Sequence, residues 1–242
     1  MQQNLGPADT RIYNSSMQSK ACHWPVQKIV ATTAAVLLLA MLAFAAKQFS
    51  PPRAFHAKTY PAHDEHPMEH VTIAVDPYDM ADKASIFGIN YREHGLLPIQ
   101  FIISNDSDLP LDVAKIKIEL VTHNRSKIQP ATEDDLYRRL AKIKRRGDEP
   151  SRNPLPVPLP RKGPNVGLSK KDREELDLAR FRAETVAPHT SLSGFLFFDI
   201  EGISNPLAGA HLYVSDVTDS RGQELMYFDI PMEKYLTYQP PK

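Results

Sequence analysis

The sequence predicts a mainly β protein: an immunoglobulin-like antiparallel β-sandwich with a two-helix, proline-rich insertion, preceded by one N-terminal transmembrane helix. Three observations support this prediction. An uncharged apolar run lies near the N-terminus, about seven short segments alternate like strands between turn signals, and a strongly basic segment interrupts them. The chain has 242 residues, 42% hydrophobic and 24% charged, which gives room for one ordinary globular core.

Residues 29–46 form the apolar run, eighteen residues without a charge between Lys28 and Lys47. This length suits a bilayer span. The small residues at its end also fit a cleaved signal peptide, but the length and the long leader favour an uncleaved anchor. Because this 28-residue leader is short compared with the C-terminal domain, we expect an inner (cell) membrane location with the domain on the extracytoplasmic, periplasmic side. Cys22, which precedes the run, is the only cysteine in the sequence, so an intrachain disulfide framework is excluded.

The sequence divides into five predicted segments. Residues 1–28 are a short N-terminal tail, 29–46 the transmembrane helix, 47–69 a Pro/His-rich linker, 70–236 the sandwich domain with its insertion at 131–183, and 237–242 a C-terminal tail.

The linker is predicted to be an extended spacer, because its prolines and polar residues show neither helical nor strand periodicity. It carries His63 and His66 among carboxylates and is followed directly by His70, a combination of ligands suited to zinc, copper or nickel. These histidines are the candidate metal ligands. Pro67 disfavours a helix that would place two of them on one face, so a solvated His-rich linker without a metal is the preferred interpretation.

Strand-like alternation begins the domain at residues 71–75. A short helix is predicted next, with Asp79 as its N-cap and Gly88 at its end. Two strands follow at residues 96–104 and 111–121, and the second has lysines on its predicted solvent face.

The polar segment Asn-Asp-Ser-Asp at residues 105–108 separates those two strands. It starts like a calcium loop, but a loop counted from Asp106 has Leu111 and Lys117 where the EF-hand needs glycine and glutamate. It also contains a short glycosylation acceptor pattern, which recurs by chance. We interpret the segment as a turn, because such residues hydrogen-bond their own backbone.

The remaining strands are predicted at residues 183–186, 190–200, 210–217 and 223–230. Gly222 supplies a residue tolerant of positive φ for a hairpin turn between the last two. The Cys-Trp-Cys set of antibody domains is absent, so the immunoglobulin-like class is inferred from the strand pattern alone.

The insertion is predicted to hold two capped helices joined by a proline-rich arm. Thr132 with Asp135, and Ser169 with Asp172, are arranged as capping boxes. The first helix has an apolar stripe, which predicts docking on the sandwich. Its remaining surface is cationic and is the candidate partner-binding surface, comprising Arg138, Arg139, Lys142, Arg145 and Arg146.

Charge is segregated although the chain is neutral overall. Residues 138–173 carry 12 basic and 3 acidic residues, a net charge of +9, whereas 1–137 and 174–242 are net acidic. Anionic lipid headgroups or another envelope protein are therefore candidate partners, with solvation of surface helices as the alternative. Nucleic acid is not expected, because the segment lacks interleaved aromatic residues for base stacking. The oligomeric state is open.

The sequence contains no motif for a nucleophilic hydrolase, a zinc protease, a phosphate-binding loop or a dinucleotide site. His189 and His211 are interpreted as a turn residue and a strand side chain. We therefore expect no enzyme activity, no catalytic residue and no cofactor.

The order of apolar segment, proline-rich spacer, residues 97–120, residues 185–200 and a closing strand from residue 224 resembles bacterial membrane-anchored, extracytoplasmic immunoglobulin-like proteins of uncharacterised function. The resemblance covers about residues 70–236, apart from the insertion, and implies a sandwich in the envelope.

Two functional hypotheses follow. The first is a single-pass envelope protein whose non-catalytic domain serves as a protein-interaction or structural module, with the basic insertion as the contact. The alternative is an envelope protein that binds a transition metal through the His-rich linker.

Overall fold

The computed structural model describes residues 49–147 and 167–238, and for residues 142–147 it describes the backbone alone. Within these ranges no helix has the length and apolar character needed to cross a bilayer. The predicted transmembrane segment at 29–46, the proline-rich arm and the outermost tails lie outside the described residues.

The described residues form eleven strands, many of them short. They are β1 Ala62–His66, β2 Val71–Pro77, β3 Leu96–Asn105, β4 Leu111–Asp112, β5 Lys117–Val121, β6 Lys127–Ile128, β7 Thr185–Val186, β8 Thr190–Asp199, β9 His211–Ser215, β10 Thr218–Asp219 and β11 Phe228–Pro231. The α-helices are α1 Ala81–Ala84, α2 Glu133–Gly147, α3 Lys170–Ala179 and α4 Glu233–Leu236, with 3-10 helices at Ala57–Thr59 and Tyr91–His94.

Three antiparallel sheets contain these strands. The first sheet has the order β1-β2-β3-β8, the second β11-β9-β5-β6, and a small third β10-β4-β7. The longest pairing joins β3 to β8 over ten residues, from Leu96 opposite Asp199 to Asn105 opposite Thr190. The prediction of a mainly β, antiparallel protein is confirmed.

One apolar core lies between the two larger sheets. Ile73, Phe101 and Phe198 enter it from the first sheet, and Leu212 and Phe228 enter it from the second. All five are fully buried. The two sheets therefore pack in a sandwich-like arrangement, as expected when each has an apolar face to cover.

Strand β3 is buried on both faces, because every one of its ten residues is buried. Its near-continuous apolar sequence is typical of such a strand. The polar side chains on its outer face are paired: Gln100 Nε2 donates to Ser193 Oγ at 3.3 Å, and Ser104 Oγ lies 2.6 Å from Ser191 Oγ. The outer face of the first sheet is thus interior rather than solvated.

The insertion helices cover much of this outer face. Leu136 and Leu140 of α2 and Leu176 of α3 pack with Phe195 and Phe197 of β8 in a second buried cluster. The predicted docking of the first insertion helix on the sandwich is confirmed. Both predicted caps form, with Asp–Ser or Asp–Thr hydrogen bonds at each helix start.

Both ends of the insertion are attached to β8. Ala131 N donates to Phe197 O at 2.7 Å, and Phe181 N donates to Phe195 O at 3.0 Å. The second contact requires glycine at position 194, since a Cβ there would lie 2.5 Å from the Phe181 Cα. Arg180 also forms an ion pair with Glu133, which joins the end of α3 to the start of α2.

The prediction of an extended spacer without helix or strand over residues 47–69 is wrong for its described part. Phe49 is buried and stacks on Phe87, with ring centroids 5.3 Å apart. β1 pairs with β2 over its full length. Only Ala62 of this strand is fully buried, so its sequence shows no apolar alternation. The flat face of the His66 imidazole takes the place of an apolar side chain by stacking on Phe228, with ring centroids 3.9 Å apart.

Three local predictions also need correction. Residues 111–121 form two strands, β4 and β5, that belong to different sheets, so the alternating run is not one strand. Within residues 223–230 only Phe228 onward is strand. The helix predicted from Asp79 to Gly88 is a single turn whose N-cap is Met80, and the Asp79 carboxylate instead accepts a hydrogen bond from Tyr235 at 2.8 Å.

A buried carboxylate attaches α3 to the connection between β2 and β3. Glu175 is 4% exposed, and its two oxygens accept from Gly88 N at 2.8 Å and Ile89 N at 3.1 Å. Burial raises the pKa of Glu175 above its usual value, although the two backbone donors oppose this effect. The folded protein therefore binds this proton more tightly than the unfolded chain does.

We expect Glu175→Gln to change how stability depends on pH. Because the pKa of Glu175 is higher in the folded state than in the unfolded chain, its protonation stabilises the fold. The full stabilisation is present below the unfolded-state pKa and is lost as the pH rises through the folded-state pKa. The stability difference, wild type minus Glu175→Gln, should therefore be larger near pH 4.5 than near pH 7. Urea unfolding of a soluble fragment of residues 47–242 measures it.

The exposed neighbour Glu174 provides the matched control, since Glu174→Gln removes a carboxylate from the same helix without altering a buried contact. If the stability difference between wild type and Glu175→Gln stays constant or grows with pH, the pKa of Glu175 is not raised in the folded protein.

Candidate functional site

An open cleft of about 1490 Å³ lies at the end of the first sheet where β3 begins. Three segments form most of its lining: the chain from Tyr78 into β3, the chain from Gln129 into the first turns of α2, and the loop between β8 and β9. Leu236 of α4 also contributes. Its walls include both apolar side chains, such as Ile203 and Leu207, and charged ones, such as Arg92.

Arg139 holds two walls of the cleft together. Its guanidinium donates to the His94 carbonyl at 3.3 Å and to the Glu201 carboxylate at 2.7 Å, and it also pairs with Asp199. Gly95 allows this close approach: its φ is +69°, and a Cβ there would lie 3.1 Å from an Arg139 nitrogen. Arg139 is therefore a positioning residue for the cleft, and its charge is already compensated.

Arg138 also lines the cleft but is more available. Its side chain is 71% exposed, and it pairs with Asp135 one turn earlier on α2. The structure thus brings two of the five predicted partner-binding cations to one cleft wall. The side chains of the other three, Lys142, Arg145 and Arg146, lie outside the described residues.

The tyrosines beside the cleft are held in their neutral form. Burial raises the pKa of Tyr78 to about 12, and burial raises the pKa of Tyr91 further. Tyr235 has a raised pKa for the same main reason, with the Asp79 carboxylate adding to it. Phenols with raised pKa values donate hydrogen bonds and supply contact area, but they are poor general bases at neutral pH.

The three candidate metal ligands do not converge. His63 and His66 lie three residues apart on β1, so their side chains point to opposite faces of the strand. His63 Nδ1 lies 2.6 Å from Tyr60 O, and His70 occupies the following turn with φ +55°. Among the described residues no group of three or more His, Cys, Asp or Glu side chains is placed to hold a metal ion.

His66 instead helps to close the edge between the two large sheets. Its Nδ1 lies 2.8 Å from a Glu69 oxygen, and its ring covers Phe228 of β11. Asp64 of β1 accepts from the backbone N–H of Asp229 at 2.9 Å. Side-chain contacts thus join β1 to β11 at an edge where the two strands are not paired through their backbones.

The polar segment at residues 105–108 is a turn, as predicted. Asn105 Oδ1 accepts from Ser107 N at 3.0 Å, and its Nδ2 donates to Leu109 O at 2.8 Å. The two aspartates face histidines: Asp106 lies 2.9 Å from His56, and Asp108 lies 3.0 Å from His189. The carboxylates therefore fasten neighbouring segments and do not converge as calcium ligands.

The cleft itself was not predicted from the sequence. It forms where Gly95, the start of α2 and the loop between β8 and β9 meet, and these segments are far apart in the chain. The available signal was the loop at residues 200–210, which is rich in Gly, Ser, Asn and Pro and is longer than a hairpin connection requires.

Comparisons with protein-family models, with curated proteins and with solved structures found no match for this chain. The fold and the cleft together define the structural class of this protein. It is a mainly β domain of antiparallel, sandwich-like sheets with helices on one outer face and an open cleft at one end.

Replacement of Arg139 should loosen the cleft and the fold together. We expect Arg139→Gln to cost about 1–2 kcal/mol, because a partly buried guanidinium loses several charged hydrogen bonds while partial exposure limits each one. Arg138→Gln, one residue earlier and exposed, is the matched control and should leave stability unchanged. Urea unfolding of the fragment 47–242 compares the two variants, and equal losses would remove the special role of Arg139.

Proposed function

We propose that this chain is a single-pass, membrane-anchored envelope protein whose non-catalytic, immunoglobulin-like domain lies on the extracytoplasmic side and binds another envelope protein through the cleft. Residues 29–46 would serve as the anchor, because they are uncharged and long enough to span a bilayer.

The strand order supports the immunoglobulin-like part of the proposal. Immunoglobulin-like domains place strands A, B and E in one sheet and strands G, F and C in the other, with an added C′ in some members. Here β2-β3-β8 corresponds to A-B-E, and β11-β9-β5-β6 corresponds to G-F-C-C′. The insertion then falls between C′ and E, and β1 is an additional strand at the edge.

The size and position of the cleft are the observations that carry the binding role. At about 1490 Å³ the cleft exceeds the volume of roughly 300–1,000 Å³ typical of small-molecule sites. It therefore suits a segment of a partner protein better than a metabolite. Its mixed charged and apolar lining is typical of a protein interface that forms and dissociates.

Arg138 is the more exposed of the two predicted partner-binding cations that line this cleft. Because the Arg138 side chain is 71% exposed, it remains available to an acidic or carbonyl group of a partner despite its pairing with Asp135. Arg139 and the residues that it joins give the partner a shaped wall.

Photo-crosslinking tests this proposal. A photoreactive amino acid at Asn205, exposed at the cleft, should give a discrete adduct with one envelope protein in native membranes. The same amino acid at Arg221 is the control, because this exposed turn adjoins β10, which pairs with β4 beyond the other end of β3.

The adduct from position 205 should weaken in an Arg138→Glu background, because the exchange reverses one exposed charge of the cleft wall. Lys127→Glu is the matched charge reversal: Lys127 is also exposed and also pairs with an acidic neighbour, Glu119. Adducts of equal yield from positions 205 and 221, or equal effects of the two reversals, would refute binding through the cleft.

A further inference from the structure

The folded domain begins almost directly after the apolar segment. Only Lys47 and Gln48 separate Ala46 from Phe49, and Phe49 is buried in the cluster beneath the insertion helices. Three residue-to-residue steps span at most roughly 11 Å. If residues 29–46 cross a bilayer, the surface around Phe49 has no spacer that would carry it away from the lipid headgroups.

Helix α3 lies on one side of Phe49. A small crevice beside the phenylalanine is lined by Lys171, Glu174 and Leu178, which follow one side of the helix at intervals of three and four residues. Leu178 is 51% exposed, which is a high value for a leucine in a domain that buries most of its large apolar residues. Lys170 is almost fully exposed and lies 3.7 Å from Glu174.

The chain that follows Phe49 exposes a similar combination of residues. Arg53 is exposed, and Phe55 is 59% exposed. The segment then reaches the outer face of the first sheet, where Ala57 N donates to Ser104 Oγ at 2.8 Å. Both segments that flank the entry point of the chain therefore present one large apolar side chain together with basic ones.

We infer that this surface, formed by residues 50–55 and the exposed side of α3, lies against the headgroup region of an anionic bilayer. The inference rests on the proposed membrane anchor. Exposed Phe and Leu side chains insert into the boundary between headgroups and acyl chains, and nearby Lys and Arg attract anionic lipids. The basic members are Arg53, Lys170 and Lys171. The acidic ones are Glu174, which Lys170 compensates, and the neighbouring Asp177, which pairs with Arg182.

This orientation assigns different surfaces to lipid and to protein. The exposed side of α3 contacts the bilayer, whereas the cleft lies beside α2 and the loop between β8 and β9. The two proposed interactions use different residues, so they can be tested independently.

Lipid-attached nitroxide quenchers test the inference on the full chain. In a Cys22→Ser background, a fluorescent label is placed at Leu178→Cys, or at Met226→Cys as the control. Met226 is 68% exposed and precedes β11, in the sheet opposite the one that α3 covers. Both chains are reconstituted in vesicles of phosphatidylcholine and phosphatidylglycerol with nitroxide on the headgroups.

We expect roughly twofold or more quenching at position 178 relative to 226, because interfacial groups lie within about 5–10 Å of the headgroup boundary. Replacing phosphatidylglycerol by phosphatidylcholine should reduce quenching at 178 while the chain stays inserted. Equal quenching at both positions of an inserted chain would overturn the inference.

Failure of the chain to float with the vesicles is a different result. It would overturn the membrane anchor of the proposed function, and the inference with it. Insertion is therefore measured first, by flotation at high pH, on the same preparations.

Discussion

The structure depends on the burial of β3 on both faces. Its ten residues alternate between the core shared by the two large sheets and an outer face that contains Leu96 and Ile102. Apolar residues on both faces need cover from two directions, because apolar area left in water costs about 25 cal/mol per Å². The second sheet covers the inner face. The outer face must be covered by residues outside the two large sheets, and the insertion and the segment from Phe49 to Tyr60 provide this cover.

The need to cover this outer face determines where the insertion, the cleft and the start of the domain lie. The insertion is attached at both ends to β8, and Glu175 attaches α3 to the connection that leads into β3. Helix α2 therefore lies where Arg139 reaches Glu201, and the cleft opens between them. Phe49 is buried in the cluster that covers the outer face, so only two residues separate the folded domain from the apolar segment.

Local physical rules predicted much of the fold from the sequence. Helix caps at Thr132 and Ser169, the apolar stripe of α2 and the turn at residues 105–108 depend on neighbours within a few residues, and all three were predicted. Strand β1 was missed because tertiary contacts stabilise it: a histidine stacked on Phe228 gives no apolar periodicity. The cleft was missed because it joins three segments, represented by Gly95, Arg139 and Glu201, that are 44 to 106 residues apart, and a single sequence carries no signal for that proximity.

The claim that the insertion completes the core is tested most directly by amide hydrogen exchange after Leu136→Ala, in a soluble fragment of residues 47–242. Leu136 is fully buried, whereas Leu178→Ala in the other insertion helix alters an exposed leucine and serves as the control. The account predicts that Leu136→Ala lowers protection by about 2–5 kcal/mol in β3 and β8 as well as in α2. Loss of protection confined to α2, with β3 and β8 as stable as in the control, would contradict it.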